Sequence, residues 1–143
     1  MGKTPGQKAA RVKGFKMSES EILRKIAVIF VTDVVGFSTL MAQNEELTLR
    51  SFRSCKEILD NLFEEHSGRI FNTAGDSVLA EFPSAVSAVI CAVEFQKLIK
   101  ARNASVPNAA QMQFRIGLNM GDVIIEGTNL YGDGVNVAAR LEA

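Results

Sequence analysis

A short run of apolar, mostly β-branched residues from Ile26 to Thr32 constrains the fold of this chain most strongly. Seven residues of this kind predict a strand at the centre of a sheet, because both faces of such a strand need apolar neighbours. The rest of the chain must therefore supply flanking strands and covering helices. Asp33 closes the run and places a carboxylate at the end of the predicted strand.

The patterns that follow predict two helices and four further strands. In chain order these are a helix at Glu45–His66, strands at Arg69–Ala74 and Ser77–Phe82, a helix at Ala85–Ala101, and strands at Met112–Met120 and Val123–Glu126. The first helix is amphipathic, and the second is apolar over most of its surface, which predicts burial. Tight turns are predicted at Gly75-Asp76 and at Gly121-Asp122.

The order of these elements predicts an α+β fold with a ferredoxin-like βαββαβ core, an antiparallel sheet and helices on one face. In that topology the end of the first strand and the second-to-third-strand hairpin lie at the same edge of the sheet. Asp33 and Asp76 should therefore come together. Carboxylates at strand ends suit Mg²⁺, which prefers a few rigid oxygen ligands. A turn-forming role is the alternative for each, and Asp122 and Asp133, which also follow glycine, are predicted as turn formers.

Composition favours one domain without a nucleic-acid or membrane partner. The 143 residues carry 16 basic and 16 acidic side chains, and this balance does not indicate nucleic-acid binding. No stretch approaches the ~18 consecutive apolar residues of a membrane span. No apolar segment follows the basic N-terminus, so no secretory signal is predicted and a cytoplasmic location is expected. Cys55 and Cys91 lack metal-ligand spacing and are predicted to be reduced, buried thiols.

The N-terminal residues 1–24 are predicted to be a disordered basic extension, with the folded domain at 25–143. Its first 16 residues contain no acidic residue. They carry five positive charges, at Lys3, Lys8, Arg11, Lys13 and Lys16. A basic arm for anionic lipid or nucleic acid is the alternative. Ser18, with Glu21 three residues later, has the pattern of a helix cap.

The segment NLYGDGVNVAARLEA places Asn136 and Arg140 four residues apart on a short predicted helix. Residues at this spacing project from the same face. The carboxylates of Asp33 and Asp76 for a metal and the cation of Arg140 for a phosphate together indicate a nucleotide site.

The only histidine, His66, lies in the last turn of the helix predicted at Glu45–His66, where a cation suits the helix dipole.

Four segments together resemble the class III nucleotidyl cyclase domain, most closely that of bacterial adenylate cyclases. They are VTDVVGFSTLM, GRIFNTAGDSVLAEFPSAVSAV, FRIGLNMGDVIIEG and LYGDGVNVAARLEA. The resemblance runs from Arg24 to Ala143 in the family's order and spacing.

This resemblance implies conversion of ATP, and of GTP as a second substrate, to a 3′,5′-cyclic nucleotide and pyrophosphate. Two Mg²⁺ or Mn²⁺ ions per site would be held by Asp33, Asp76 and the backbone carbonyl of Val34. Asn136 would orient the ribose, and Arg140 would meet the reacting phosphate. The family builds its sites across a head-to-tail dimer, so the expected partner is a second copy of the chain, with a nucleoside triphosphate as substrate.

The chain also departs from the family pattern. Asn72 and Asn129 stand at the base-selecting positions, where adenylate cyclases usually carry Lys and Asp. The family domain continues past the position of Ala143, so a missing C-terminal part and an uncovered strand edge at Val123–Glu126 are expected. Two alternatives follow: a catalytically silent cyclase-homology module that signals through dimerisation, and another ferredoxin-like nucleotide enzyme. The lack of a GGDEF-like hairpin counts against the second.

Overall fold

Residues 23–142 are the part of the chain that the computed structural model describes, and a five-stranded antiparallel sheet lies at their centre. The strands are β1 Leu23–Val34, β2 Arg69–Ala74, β3 Ser77–Phe82, β4 Phe114–Glu126 and β5 Asn129–Tyr131. The helices are α1 Phe37–Gln43, α2 Glu45–His66, α3 Ala85–Ala104 and α4 Asp133–Glu142, with a 3₁₀ turn at Asn108–Ala110. The strand order is β2-β3-β1-β4-β5. The predicted α+β, ferredoxin-like arrangement is confirmed.

Strand β1 is central, as its apolar run predicted. It pairs with β3 on one side and with β4 along its whole length on the other. Its side chains alternate between two cores: Phe30 packs on one face of the sheet and Ile29 on the other, both fully buried. A strand buried on both faces leaves little freedom for its register, because a shift by one residue would exchange the two faces.

The two long helices cover one face of the sheet, and α4 covers the other. On the first face Phe30 packs edge-to-face on Phe63 of α2, with ring centroids 5.3 Å apart. Phe95 of α3 meets Phe114 of β4 in the same way at 5.0 Å. On the reverse face Ala138 of α4 belongs to the cluster that contains Ile29. The helices of the βαββαβ core therefore lie on one face, as predicted, and α4 is an addition on the other.

The predicted turn at Gly121-Asp122 is wrong. Strand β4 runs without a break through both residues, and the chain turns at Gly127, whose φ is +63°. Gly121 serves close packing: a Cβ there would lie 3.1 Å from the Cα of Gly134 in α4. Asp122 is consequently a strand residue that pairs with Arg24 at 3.1 Å, and Asp133 is the first residue of α4.

Two further expectations need correction, and one helix was not anticipated. Strand β1 begins at Leu23, so Leu23 and Arg24 belong to the sheet and not to the extension. Helix α1 was not predicted. Helix α3 is less buried than its composition suggested, because only one of its faces packs on the sheet and α2, and Val86 on the open face is 68% exposed. The basic residues before residue 17 and the Ser18–Glu21 cap lie outside the described residues.

The predictions for one helix, two strands and the two cysteines are confirmed. Helix α2 and strands β2 and β3 have the predicted bounds. Cys55 and Cys91 are free and fully buried. Burial, together with the charges of Glu94 and Glu65, raises the pKa of the Cys91 thiol to about 12. The expectation of an uncovered edge at Val123–Glu126 is wrong for most of that segment, because β5 pairs with Ile124–Glu126. No helix in residues 23–142 has the length and apolar character needed to cross a membrane.

A charged network on β3 provides a test of the fold. Glu81 accepts hydrogen bonds from Lys25 of β1 and Arg69 of β2, the latter at 2.9 Å. Burial alone would raise the pKa of Glu81, but the two cationic donors outweigh it and lower the pKa below the ordinary 4.5. Because the folded state prefers the ionised form, Glu81 stabilises the protein above that ordinary value, and this contribution is lost as the pH falls through the lowered pKa.

We expect Glu81→Gln to lower the melting temperature by several degrees at about pH 7, since a neutral amide replaces the carboxylate that pairs with Lys25 and Arg69, at a cost of about 1–2 kcal/mol. The difference from the wild type should shrink as the pH falls below 4.5 and disappear once the pH is below the lowered pKa of Glu81. Thermal melts across this range measure it, with the exposed Glu64→Gln as control. A difference that persists unchanged at acid pH would contradict the role given to the charge.

Candidate nucleotide and metal site

The hairpin between β2 and β3 delivers Asp76 to the end of β1. Gly75 takes a left-handed conformation with φ +59°, which turns the chain sharply and directs Asp76 back toward the sheet. The Oδ2 atom of Asp76 accepts a hydrogen bond from the backbone N–H of Val34 at 2.7 Å. Asp33 is the preceding residue, so the two predicted aspartate segments meet at one edge of the sheet, as the topology predicted.

Asp33 is held by a residue that the sequence did not point to. Arg115 of β4 stands directly opposite Asp33 in the β1–β4 register. Its Nε and Nη2 atoms donate to Oδ1 and Oδ2 of Asp33, each at 3.1 Å, in a bidentate pair. The Asp33 side chain is 17% exposed and that of Arg115 is 43% exposed. The alternation of apolar and polar residues in the sequence predicts that Arg115 lies on the polar face of its strand. Only the register of β1 and β4 shows which β1 residue it contacts.

The oxygen atoms at this edge suit a hard divalent cation. Asp76 uses Oδ2 for Val34, and its Oδ1 has no hydrogen-bond partner within residues 23–142. Two carboxylates and nearby backbone carbonyls form the all-oxygen donor set that Mg²⁺ and Mn²⁺ take. The residues at this edge therefore fit the predicted ions. Ligation by Asp33, Asp76 and the carbonyl of Val34 stays a prediction.

Helix α4 carries Asn136 and Arg140 on its exposed side. The helix lies close to β4 because Gly134 has no side chain: a Cβ there would come within 2.8 Å of the Asp122 carbonyl oxygen. Asn119 of β4 fixes the same turn by donating to the Gly134 carbonyl at 3.0 Å. In the described part of the chain, neither Asn136 nor Arg140 bonds to Asp33 or Asp76.

The two predicted base-selecting residues lie on the outer strands. Asn72 is exposed on β2, next to an irregularity in the β2–β3 register. Asn129 begins β5, where its Nδ2 donates to the Tyr131 hydroxyl at 3.2 Å and its Oδ1 accepts from the Leu130 N–H at 2.8 Å. The opposite edges of the sheet approach each other here, since Arg69 of β2 donates to the carbonyl of Thr128 at 2.7 Å.

A second group of possible metal ligands joins α2 to α3. The Nε2 atom of His66 lies 2.9 Å from Oε1 of Glu94 and 3.9 Å from Oε1 of Glu65. Donor atoms of all three residues fall within 4.8 Å of one another. The hydrogen bond between His66 and Glu94 and the position of His66 at the C-terminal end of α2 account for this histidine without a metal.

Comparison with known proteins settles the family. Residues 18–143 match the family model described as the adenylate and guanylate cyclase catalytic domain. The chain belongs to this cyclase family. It is 44% identical over 128 residues to a Rhizobium meliloti (strain 1021) protein whose name assigns it to the adenylate cyclases. That match covers 89% of this chain and 22% of the relative, so the chain spans about a fifth of that relative's length.

Solved structures of cyclases share the fold. The adenylate/guanylate cyclase/hydrolase from Silicibacter pomeroyi is 37% identical with a TM-score of 0.76, over 85% of this chain and 72% of that chain. The adenylyl cyclase CyaB from P. aeruginosa is 25% identical with a TM-score of 0.72, over 85% of this chain and 73% of that chain. The resemblance to bacterial cyclases that the four sequence segments carried is confirmed.

Proposed function

We propose that this cyclase-family domain converts ATP to a 3′,5′-cyclic nucleotide and pyrophosphate, and that it also converts GTP with a modest preference for ATP. One observation carries the proposal. In a chain of this family, the carboxylate of Asp76 accepts a hydrogen bond from the backbone N–H of Val34, the residue next to Asp33. In the reaction the ribose 3′-oxygen forms a bond to the α-phosphorus and loses its proton. The bond from the α-phosphorus to the bridging oxygen of the β-phosphate breaks, and pyrophosphate leaves.

The carboxylates are the chain's contribution to metal binding. Asp33 and Asp76, with the carbonyl of Val34, would hold two Mg²⁺ or Mn²⁺ ions. When bound, such ions supply Lewis-acid activation of the 3′-hydroxyl and neutralise charge on the leaving pyrophosphate. The β1–β4 pairing fixes the backbone of Asp33, and the hydrogen bond to Val34 fixes the carboxylate of Asp76, so both aspartates are positioned before substrate arrives.

The exposed face of α4 would act on the sugar and the reacting phosphate. Asn136 carries both a donor and an acceptor, which allows it to orient the ribose for in-line attack. Arg140, one helical turn later, would stabilise the charge that develops on the α-phosphoryl group. Both side chains are exposed within one chain, which leaves them available to a substrate held elsewhere.

We expect Asp33→Asn or Asp76→Asn to reduce cyclase activity by at least about a hundredfold, because each removes a charged metal ligand. The measurement is mass spectrometry of the cyclic product after incubation with ATP or GTP and Mn²⁺. Asp60→Asn, at an exposed position on α2, is the matched control. Turnover near the wild-type level in either variant would remove these aspartates from the mechanism.

We propose further that the working unit is a two-fold homodimer with shared sites. Asp33 and Asp76 stand at the sheet edge, while Asn136 and Arg140 make no contact with them in the chain. A second copy that presents its α4 to this edge would complete one site, and the two-fold symmetry would complete the other.

Mixing tests this directly. A chain with Asp33→Asn and a chain with Arg140→Ala should each be inactive alone, and a mixture should recover about a quarter of the wild-type activity. Half of the dimers are then mixed, and each mixed dimer has one undamaged site of two. Native mass spectrometry confirms that mixed dimers form. Absence of recovery in such dimers would mean that each site is built within one chain.

Base selection is proposed to depend on Asn72 and Asn129. An amide offers a donor and an acceptor and can flip, so it can satisfy adenine or guanine. Neutral hydrogen bonds are also weaker than the charge-assisted bonds that a Lys and Asp pair would make. ATP should therefore be preferred over GTP by roughly tenfold or less.

The ratio of kcat/KM for ATP and GTP measures this preference. Asn72→Lys combined with Asn129→Asp should increase the preference for ATP, because the new charges match only the adenine pattern. Tyr131→Phe removes the hydroxyl that Asn129 contacts and serves as a control for local disturbance. A wild-type ratio beyond about a thousandfold in either direction would show that other residues read the base.

A further inference from the structure

The two candidate metal ligands differ in what already holds them. Both oxygens of Asp33 accept from one guanidinium, because Arg115 donates through Nε and Nη2 at 3.1 Å each. Asp76 makes no ion pair with any residue in the range 23–142, and its Oδ1 carries no hydrogen bond there. One aspartate is therefore neutralised by the protein itself, and the other is not.

A divalent cation and this guanidinium need the same carboxylate. Mg²⁺ and Mn²⁺ bind oxygen lone pairs at short distance, about 2.0–2.1 Å for Mg²⁺. An ion placed there would stand beside the positive charge of Arg115, and like charges at this separation repel strongly where water is partly excluded. Each oxygen of Asp33 keeps a second lone pair that a metal could use, but the charge of Arg115 beside it lowers the affinity of Asp33 for a cation while the ion pair is closed.

We infer that Arg115 competes with divalent cations for Asp33, so that opening of this ion pair controls how tightly the site binds its metals. The inference rests on the proposed function, because it takes Asp33 as a metal ligand. Arg115 is thereby a positioning residue that acts through Asp33.

The fold allows this ion pair to open without damage to the sheet. The backbone of Arg115 is fixed by its place opposite Asp33, and its carbonyl accepts from the hydroxyl of the fully buried Thr32 at 2.7 Å. The guanidinium, in contrast, ends a long side chain that is 43% exposed. Opening requires a change of the Arg115 side-chain rotamer, while the backbone pairing stays in place. Asp76 is then the ligand available to a first ion, and Asp33 becomes available after Arg115 withdraws.

The test is Mn²⁺ binding without nucleotide, measured by the electron paramagnetic resonance signal of free aqueous Mn²⁺ during titration of the chain. Arg115→Gln removes the guanidinium that competes for Asp33, and the affinity for Mn²⁺ should rise roughly tenfold. Arg115→Lys keeps the charge but loses the bidentate geometry, and should give a smaller rise. Adding Asp33→Asn to Arg115→Gln should abolish the gain.

Lys97→Gln is the matched control for charge alone. Lys97 lines the same groove as Arg115 but makes no ion pair with Asp33. Its removal should change the affinity for Mn²⁺ by less than about twofold, as expected for a screened surface charge. Thermal melts of each variant show whether it is folded. If Arg115→Gln does not fold, the comparison of the wild type with Arg115→Lys provides the test.

Three results would overturn the inference in distinguishable ways. Equal affinity in the wild type and in the folded Arg115 variants, with binding still lost in Asp33→Asn and Asp76→Asn, would refute the competition and leave the metal site standing. An equal gain in Mn²⁺ affinity in Lys97→Gln would show that the effect comes from net charge and not from the ion pair with Asp33. Failure of both the wild type and Arg115→Gln to bind Mn²⁺ would overturn the metal site together with the inference.

Discussion

The pairing of β1 with β4 along the whole of β1 is the constraint on which the site depends. Twelve consecutive partners, from Leu23 opposite Ile125 to Val34 opposite Phe114, fix the register. A slip of one residue would turn the buried Phe30 to the α4 face and separate Asp33 from Arg115. The cost of exposing and reburying two apolar faces is large compared with any one polar contact, so the core holds the polar pair in place.

The position of Asp76 beside Asp33 follows from the neighbouring strand pair. Because Thr32 lies opposite Val78, the turn that precedes β3 must reach just beyond the end of β1. Gly75 permits the left-handed turn there, and Asp76 finds the N–H of Val34, which faces away from the β4 ladder at the sheet's end. A carboxylate that accepts from a backbone amide satisfies a donor that would otherwise be partly buried without a partner.

Local pattern predicted most of the fold, and tertiary contacts explain where it failed. The bounds of α2, β2 and β3 followed from periodicity and glycine placement. Gly121 misled because a glycine needed for turning and a glycine needed for close packing look alike in sequence, and only the approach of Gly134 distinguishes them. Composition alone could not show which side of α3 would be covered. The Arg115–Asp33 pair was beyond reach for a similar reason, since 82 residues separate its members and only the register joins them.

The exposure of Arg140 is itself an argument about the proposed catalyst. A guanidinium in open water stabilises a developing phosphoryl charge weakly, because the solvent screens it. The same group is far more effective once it is fixed and water is excluded. Within one chain α4 packs its apolar side on the sheet and turns Asn136 and Arg140 outward. If Arg140 contributes to cyclisation, another surface must therefore cover it when the nucleotide is bound. In the proposed homodimer the aspartate edge of a second copy would supply both the cover and the phosphate, so the electrostatics of Arg140 supports the proposed shared site.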